Sequence, residues 1–306
     1  MIPEMMNRGY SKEFSCSLTA AAGSIGPIIP PSIPLIIYGV IANVSVVKLF
    51  VAGYVPGILM GILFMIYTYF FAKKHNYPAE NKPSIRETLI AFKEAFLTLL
   101  LPVVIMGSIL LGICTATEAA VLAVVYAIIL GFFVYKTLNL KKMKDIFLGA
   151  ARSTSMVFMV MASAALLSWV VTMMNVPQAV SNLIFSFTDK GWVFLIIVNL
   201  LLIIVGMFLD AGSAITILTP VLLPVAVALN VDPLVFGIIF AVNMSIGVLT
   251  PPVGLNLYIV SSIGKIDILK VSKAVIPFIL LVFLILIVAS VFPQVITFLP
   301  NLIYGA

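Results

Sequence analysis

The sequence has 306 residues, of which 63% are hydrophobic and only 9% are Asp, Glu, Lys or Arg. Ordinary soluble domains carry about 25% charged residues, so a soluble globular protein is excluded. Because apolar runs of about 20 residues cross a bilayer as helices, we predict an all-α polytopic membrane protein whose net charge of +6 reports topology and not nucleic-acid binding.

Apolar runs predict nine membrane segments in chain order. They lie at about residues 12–42, 46–72, 97–114, 116–138, 153–175, 190–208, 209–230, 231–262 and 274–298. Basic residues form four clusters between these runs: Arg8 and Lys12; Lys73, Lys74, Lys82, Arg86 and Lys93; Lys136, Lys141, Lys142, Lys144 and Arg152; Lys265, Lys270 and Lys273. The positive-inside rule places all four clusters in the cytoplasm.

The apolar arms between 190 and 262 must then give one net crossing. If 231–262 is that crossing, 190–230 enters and leaves on the periplasmic face as a re-entrant hairpin, with its tip near Gly206 to Ser213. Three full crossings are the alternative, and they require 209–230 to span the bilayer despite its polar and proline residues. In the hairpin topology the C-terminus is periplasmic.

A weak internal repeat relates the two broken segments. Ser24, Ile25, Gly26, Pro30 and Pro31 recur at an offset of 221 as Ser245, Ile246, Gly247, Pro251 and Pro252, and Pro56 recurs as Pro277. The two copies cross the membrane in opposite directions in this topology, which is typical of inverted-repeat secondary transporters with discontinuous helices.

The repeat also predicts a domain division. Residues 1–72 form the C-terminal part of a first repeat, 73–96 a cytoplasmic loop with an interfacial helix, and 97–306 the second repeat with its hairpin at about 190–230 and its broken helix at about 231–262. About 148 residues (245 minus 97) precede the shared serine in the second unit but only 23 in the first. We therefore expect about 125 residues to be missing before Met1.

The two breaks carry the residues best suited to hold a cation. Pro and Gly interrupt helical hydrogen bonding, and the freed carbonyl oxygens, with the hydroxyls of Ser24 and Ser32, could surround a small cation. The second break offers Ser245, Thr250 and Asn256 in the same way. A proline kink that only bends a helix is the simpler alternative.

Two carboxylates and one histidine lie outside the two breaks. Asp210 at the predicted tip needs a partner at bilayer depth, and it could be a site residue, a helix N-cap, or both. Glu118 is predicted to be a carboxylate at a helix N-terminus. His75 stands in a hydrophilic loop with no nucleophile or metal ligand at useful spacing, so we expect neither an enzyme nor a bound cofactor.

Several stretches resemble a known family, the large membrane subunit of tripartite ATP-independent periplasmic (TRAP) transporters. They are RGYSKEFSCSLTAAAGSIGPIIPPSIPLIIYG, KLFVAGYVPGILMG, TATEAAVLAVVYA, GMFLDAGSAITILTPVLLPVA and DPLVFGIIFAVNMSIGVLTPPVGLNLY. The resemblance implies a sodium-coupled, elevator-type importer of small organic anions such as C4-dicarboxylates, other carboxylates or sialic acids, in the bacterial inner membrane. It also implies a small four-helix membrane subunit and a periplasmic substrate-binding protein as partners.

The same resemblance implies roles for individual residues. One candidate sodium site comprises Gly23, Ser24, Gly26 and Pro27, and the other comprises Gly212, Ser213, Gly247 and Thr250. Asp210, Ser32 and Asn256 are candidate substrate or gating residues. A non-transporting scaffold and a proton-coupled anion transporter are the alternatives.

Overall fold

The computed structural model describes residues 1–77, 84–188 and 190–305, so Lys82 of the second basic cluster lies outside the described residues. Within these ranges the chain is helical and contains no strand. The helices are α1 (Ile2–Asn7), α2 (Lys12–Gly23), α3 (Ile33–Ala42), α4 (Val46–Lys74), α5 (Ile85–Leu110), α6 (Ala116–Ile129), α7 (Leu140–Met173), α8 (Val176–Phe187), α9 (Gly191–Gly206), α10 (Ala211–Ala228), α11 (Pro233–Gly247), α12 (Leu255–Gly264), α13 (Ile268–Val291) and α14 (Gln294–Tyr304).

Among the described residues, six helices are long and apolar enough to cross a membrane: α4, α5, α6 with the π-helical turn Leu130–Val134 that continues it, α7, α10 and α13. A bent helix pair, Gln178–Ser186 with Gly191–Gly206, raises the number to seven if it forms one span. The prediction of an all-α polytopic membrane protein is therefore confirmed.

The chain divides into two compact units. One consists of Met1–Pro78 with Met161–Ala306, and the other of Ala79–Val160. The smaller unit holds α5 and α6, which are joined by a hydrogen bond from the Tyr126 hydroxyl to the Leu97 carbonyl oxygen (2.7 Å). The predicted interfacial segment before residue 97 and the predicted span after it form one continuous helix, α5, because the sequence around Phe96 and Leu97 contains no glycine or proline that would end it.

In the smaller unit, α5 and α6 each begin with a capping box. Ser84 and Glu87 cap α5, and Thr115 and Glu118 cap α6, with each serine or threonine side chain accepting from the third helical N–H and each glutamate accepting from the cap N–H. Such a box satisfies two backbone donors that would otherwise have no partner. The prediction that Glu118 lies at a helix N-terminus is confirmed.

The larger unit is organised around α11. All residues of α11 from Leu234 to Gly247 are buried, and the helix packs against α3, α4, α9, α10 and α13. Gly237 allows the ring of Tyr38 to lie directly on the helix, since a Cβ atom on this glycine would stand 2.8 Å from the Tyr38 Cζ. The Tyr38 hydroxyl donates to the Pro233 carbonyl oxygen at 2.7 Å, which joins α3 to the start of α11.

The two predicted discontinuous helices are present. α2 and α3 are separated by residues 24–32, and α11 and α12 by residues 248–254. Each break contains a cis peptide bond, Pro30–Pro31 in the first and Pro251–Pro252 in the second, again at an offset of 221. A pair of prolines thus lies within each break at matching positions of the two repeats.

Helices α9 and α10 form a hairpin. Its open ends lie together, because a Cβ atom on Gly191 would stand 2.8 Å from the Leu229 carbonyl oxygen. Residues 207–210 form the tip. Without α9, α10 is already long and apolar enough to cross a membrane, so the re-entrant path of the hairpin stays a prediction. The predicted domain bounds also stay predictions. The last predicted segment is divided at Phe292 and Pro293 into α13 and α14.

Candidate functional site

The first break is held together by its own side chains. Ser24 ends α2, is fully buried, and its hydroxyl donates to the Ala21 carbonyl oxygen at 2.7 Å. Ser32 is the N-cap of α3, accepting from the Leu35 N–H at 3.3 Å while its hydroxyl donates to the Pro27 carbonyl oxygen. Ser32 therefore stabilises the break and the helix that follows it.

The second break is built in a related way. The Thr250 hydroxyl donates to the Ile246 carbonyl oxygen at 2.8 Å, and the backbone N–H of Asn256 donates to the Val248 carbonyl oxygen at 3.1 Å. Gly254 begins α12 with a positive φ of 41°, which L side chains rarely adopt. A Cβ atom at this glycine would also stand 3.0 Å from the Thr250 carbonyl oxygen, so both conformation and space favour glycine here.

Asp210 caps α10 at the hairpin tip. Its carboxylate accepts from the Ser213 N–H at 3.1 Å and from the Ser213 hydroxyl. The N-cap interpretation of Asp210 is thus confirmed, and Ser213 supplies the partner that the carboxylate requires. The capped turn lies beside α3, because a Cβ atom on Gly212 would stand 3.3 Å from the Ile37 Cδ1.

The second break contacts the hairpin tip. The Val253 N–H donates to the Met207 carbonyl oxygen at 3.2 Å, and Gly247 lies against Gly206 so closely that a Cβ atom on Gly206 would stand 3.1 Å from the Gly247 Cα. These contacts place Gly247 and Thr250 in the same region as the tip residues.

One side chain joins the two breaks. The Asn256 Nδ2 donates to the Ala20 carbonyl oxygen in the last turn of α2 at 3.1 Å. The same nitrogen would lie 3.3 Å from a Cβ atom on Gly23, so a larger residue at position 23 would crowd the amide. Asn256 is therefore a link between the two repeats of the chain.

The predicted site residues fall into three groups. Gly23, Ser24, Gly26, Pro27 and Ser32 form the first break, Gly247, Thr250 and Asn256 belong to the second, and Asp210, Gly212 and Ser213 form the tip. Direct contacts join the second break to each of the other two groups. Their use as ion or substrate ligands stays a prediction.

Two backbone oxygens are available at equivalent positions of the breaks. In residues 1–77, 84–188 and 190–305, neither the Ser24 carbonyl oxygen nor the Ser245 carbonyl oxygen accepts a hydrogen bond. The two serines are related by the repeat, and both are fully buried. The end of the helix before each break therefore presents a carbonyl oxygen without a hydrogen bond at the same place in the repeat.

The structure also shows residues that the sequence interpretation did not include. These are Ala20 and Ile37, which border the site, whereas Gly206 and Met207, already inside the predicted tip, prove to form its contact with the second break. A glycine directly before the tip was visible in the sequence as a signal for close backbone approach. Contacts made through backbone atoms of Ala20 or Met207 leave no such signal.

The remaining reactive side chains lie outside this region. His75 is exposed at the end of α4, stacked on Phe71, in agreement with its interpretation as a solvated residue. Cys16 is buried and Cys114 is partly buried, and both are free thiols. The described part of the chain contains no group of three or more His, Cys, Asp or Glu side chains that could hold a metal ion.

Comparison with known proteins identifies a matching family. Residues 1–295 match the family model described as "Tripartite ATP-independent periplasmic transporter, DctM component". The chain is 40% identical over 304 residues to the sialic acid TRAP transporter large permease protein SiaM of Vibrio cholerae, covering 99% of this chain and 71% of that protein.

Two further relatives carry related names. Identity is 38% over 302 residues to the sialic acid TRAP transporter permease protein SiaT of Haemophilus influenzae, with 99% of this chain and 49% of that protein covered. It is 37% over 300 residues to the C4-dicarboxylate TRAP transporter large permease protein DctM of Pseudomonas aeruginosa, with 98% and 70% covered. The chain thus spans about half of SiaT and about seven tenths of the other two.

Proposed function

This chain belongs to the DctM family of tripartite ATP-independent periplasmic transporters, and we propose that it is the membrane permease subunit of a sodium-coupled importer of small organic anions. The observation that carries the proposal is the contact of the second helix break with both the first break and the hairpin tip. In secondary transporters, broken helices meet in this way around substrate and coupling ions. The relatives are named as permeases, so no enzymatic role is proposed.

For the coupling ion we propose Na⁺, held at the two sites that contain Ser24 and Thr250. The free carbonyl oxygens of Ser24 and Ser245 support this assignment, since hard cations prefer oxygen ligands. The hydroxyls of Ser24 and Thr250 donate their protons to backbone carbonyls. Their oxygen lone pairs therefore remain available for a cation.

The candidate residues without a hydroxyl act through the backbone in this proposal. Gly23, Gly26 and Pro27 on one side, and Gly212 and Gly247 on the other, let carbonyl groups turn away from regular helix, and Ser213 adds a side-chain oxygen. The carboxylate of Asp210 favours a nearby cation and repels an anion. We therefore place Asp210 at the gate on the sodium side and not on the substrate.

For the substrate we propose a small carboxylate such as a C4-dicarboxylate or a sialic acid, the classes named for the relatives. α3, α10 and α12 all begin beside the breaks or the tip. Helix N-termini carry a partial positive charge that suits an anion. α12 begins without a side-chain cap, so Asn256 in its first turn is the residue that we propose contacts the substrate, with Ser32 supporting α3.

The partners and location follow from the same proposal. A small membrane subunit would accompany the permease, and a periplasmic binding protein would deliver the anion. The assembly would lie in a bacterial inner membrane with the C-terminus of this chain on the periplasmic side. The hairpin and the two broken helices would move together as the transporting element of an elevator.

Uptake in proteoliposomes tests the function. The permease is reconstituted with its small subunit, and the binding protein is supplied outside with radiolabelled sialic acid or succinate. In a parallel sample, choline replaces sodium in the buffer. We expect an inward sodium gradient to drive uptake and Ser24→Ala to weaken its sodium dependence, while Ser186→Ala, in an exposed part of α8, leaves it unchanged. If uptake does not depend on sodium but is driven by a proton gradient, the coupling ion is H⁺ and not Na⁺.

A further inference from the structure

Three polar side chains from three helices form a hydrogen-bonded chain inside the larger unit, and we name it the polar chain. The Asn243 Nδ2 on α11 donates to the Asn199 Oδ1 on α9 at 2.8 Å. The Asn199 Nδ2 donates to the Ser290 Oγ on α13 at 2.9 Å. The Ser290 hydroxyl donates to the Leu286 carbonyl oxygen at 2.7 Å. The three side chains are 0%, 3% and 2% exposed in the order Asn243, Asn199, Ser290.

The surroundings of Asn243 fix which atoms of the polar chain donate and which accept. The Asn243 Nδ2 also donates to the Ile239 carbonyl oxygen at 2.9 Å. Flipping this amide would therefore turn an acceptor oxygen toward two other acceptors. The Asn243 Oδ1 is left buried and without a hydrogen-bond partner in the described part of the chain.

The unpaired oxygen argues against a role in stability alone. A buried polar atom without a partner is unfavourable, and leucines at both residues 199 and 243 would avoid the deficit while filling similar volumes. Polar groups in an apolar interior can instead select one alignment of the packed helices, because other alignments leave more of them unpaired. Asn199 is such a group in an otherwise apolar α9, whose sequence is GWVFLIIVNLLLIIVG.

The polar chain lies between the open end of the hairpin and its tip. At one end, Ser290 lines a cavity of about 410 Å³, together with Trp192 of α9, Asn230 after α10 and Asp232 before α11. At the other end, Asn243 precedes Gly247 by one helical turn. α9 and α11 run in the same direction between these ends, so their relative alignment decides whether Gly206 meets Gly247.

We propose that Asn199, Asn243 and Ser290 are positioning residues that fix the alignment of α9 against α11 and thereby hold the hairpin tip on the second helix break. The distance along α9 from the polar chain to the tip is short, because Gly206 lies seven residues, or about 10 Å, beyond Asn199. A rotation or slide of α9 at residue 199 is transmitted to the tip by one rigid helix. The transport readout of this inference rests on the proposed function, whereas the position of the tip does not.

The test measures access to the tip in the full chain. Phe208, which is 60% exposed at the tip, is replaced by cysteine in a background without Cys16 and Cys114, and labelling by a maleimide is timed in detergent. Asn199→Leu and Asn243→Leu are compared with Asn301→Leu on the exposed surface of α14. A parallel cysteine at Asn230 reports the open end of the hairpin.

We expect each leucine variant in the polar chain to speed labelling at residue 208 about threefold or more, the factor that loss of one ordinary hydrogen bond in a membrane protein gives. Labelling at residue 230 and the midpoint of thermal unfolding should change little. The double variant Asn199→Leu with Asn243→Leu should label no faster than Asn199→Leu alone, because that single variant already breaks both bonds that Asn199 makes to the neighbouring helices.

Unchanged labelling at residue 208 in folded variants would overturn the proposal, and equal acceleration at residues 208 and 230 would show a general structural role instead. If the leucine variants do not fold, Ser290→Ala removes only the outer link and should give a smaller acceleration confined to residue 208. Sodium-independent uptake combined with the expected labelling pattern would reject the coupling ion and leave the positioning role standing.

Discussion

Gly206 and Gly247 pack backbone against backbone, and a Cβ atom on Gly247 would lie only 2.6 Å from the Gly206 Cα. One glycine ends the first arm of the hairpin, and the other ends the first half of the second broken helix. No side chain larger than hydrogen fits between them without moving one helix. The absence of side chains at these two residues therefore allows the tip to lie directly on the break.

Gly247→Ala tests this contact. The added methyl group must push α9 away, and overpacking of this kind costs about 1–3 kcal/mol. We expect a lower midpoint of thermal unfolding and loss of most transport. Gly61→Ala in α4, where a Cβ atom would have no neighbour within 4 Å, is the control. A wild-type level of transport by Gly247→Ala would show that the contact is not needed.

Asp210 can be separated into a helix cap and a charge. Asp210→Ala removes the cap and should cost about 0.5–2 kcal/mol of stability, whereas Asp210→Asn keeps a capping oxygen and should cost less. If the charge serves the cation, Asp210→Asn should still raise the sodium concentration needed for half-maximal uptake. Asp267→Ala removes the corresponding cap of α13 and is the control for stability. Normal sodium dependence in Asp210→Asn would restrict Asp210 to capping.

Asn256 joins the two breaks through one hydrogen bond to Ala20. Asn256→Ala should lower stability by only about 0.6 kcal/mol, the average found for hydrogen bonds between membrane helices, since the Ala20 carbonyl oxygen also accepts from the Ser24 N–H. The uptake rate should fall by much more than this small loss of stability alone would cause. Asn301→Ala, on the exposed surface of α14, should change neither the uptake rate nor the stability. Parallel losses of stability and uptake would assign Asn256 a structural role only.

Tyr38 provides a test of the packing around α11. Tyr38→Phe removes the hydrogen bond to Pro233 but keeps the ring on Gly237, so we expect a loss of about 0.5–1.5 kcal/mol. Gly237→Ala displaces the ring and should destabilise more. Tyr69→Phe, at a residue 63% exposed on α4, is the control. Thermal unfolding in one detergent ranks the variants, and an equal loss in Tyr38→Phe and Gly237→Ala would contradict the packing argument.

The local features of this fold were predictable from sequence because they depend on neighbouring residues. Apolar runs predicted most of the long helices, paired prolines predicted both breaks, and the position of Asp210 before a new helix predicted its capping role. The join between the segments on either side of Phe96 and Leu97 was missed, because an interfacial helix and a span have the same helical period.

The long-range contacts were not predictable from one sequence. Nothing near Tyr38 indicates that its ring lies on Gly237, about 200 residues away. The polar chain left a partial signal, since Asn199 and Asn243 stand in almost wholly apolar helices. Which polar residue pairs with which depends on the alignment of three helices, and hydropathy does not determine that alignment.

The shortness of the half-helices has an electrical consequence. α2 has 12 residues and α3 has 10, about 18 and 15 Å long. If the two together cross the bilayer, as the sequence predicts for residues 12–42, the break between them would lie near the middle of a hydrocarbon core of about 30 Å. A cation that reaches the break from one face crosses about half of the membrane potential, and a full crossing by one charge is worth about 2.3 kcal/mol per 100 mV. Occupancy of the breaks would thus respond to voltage as well as to concentration.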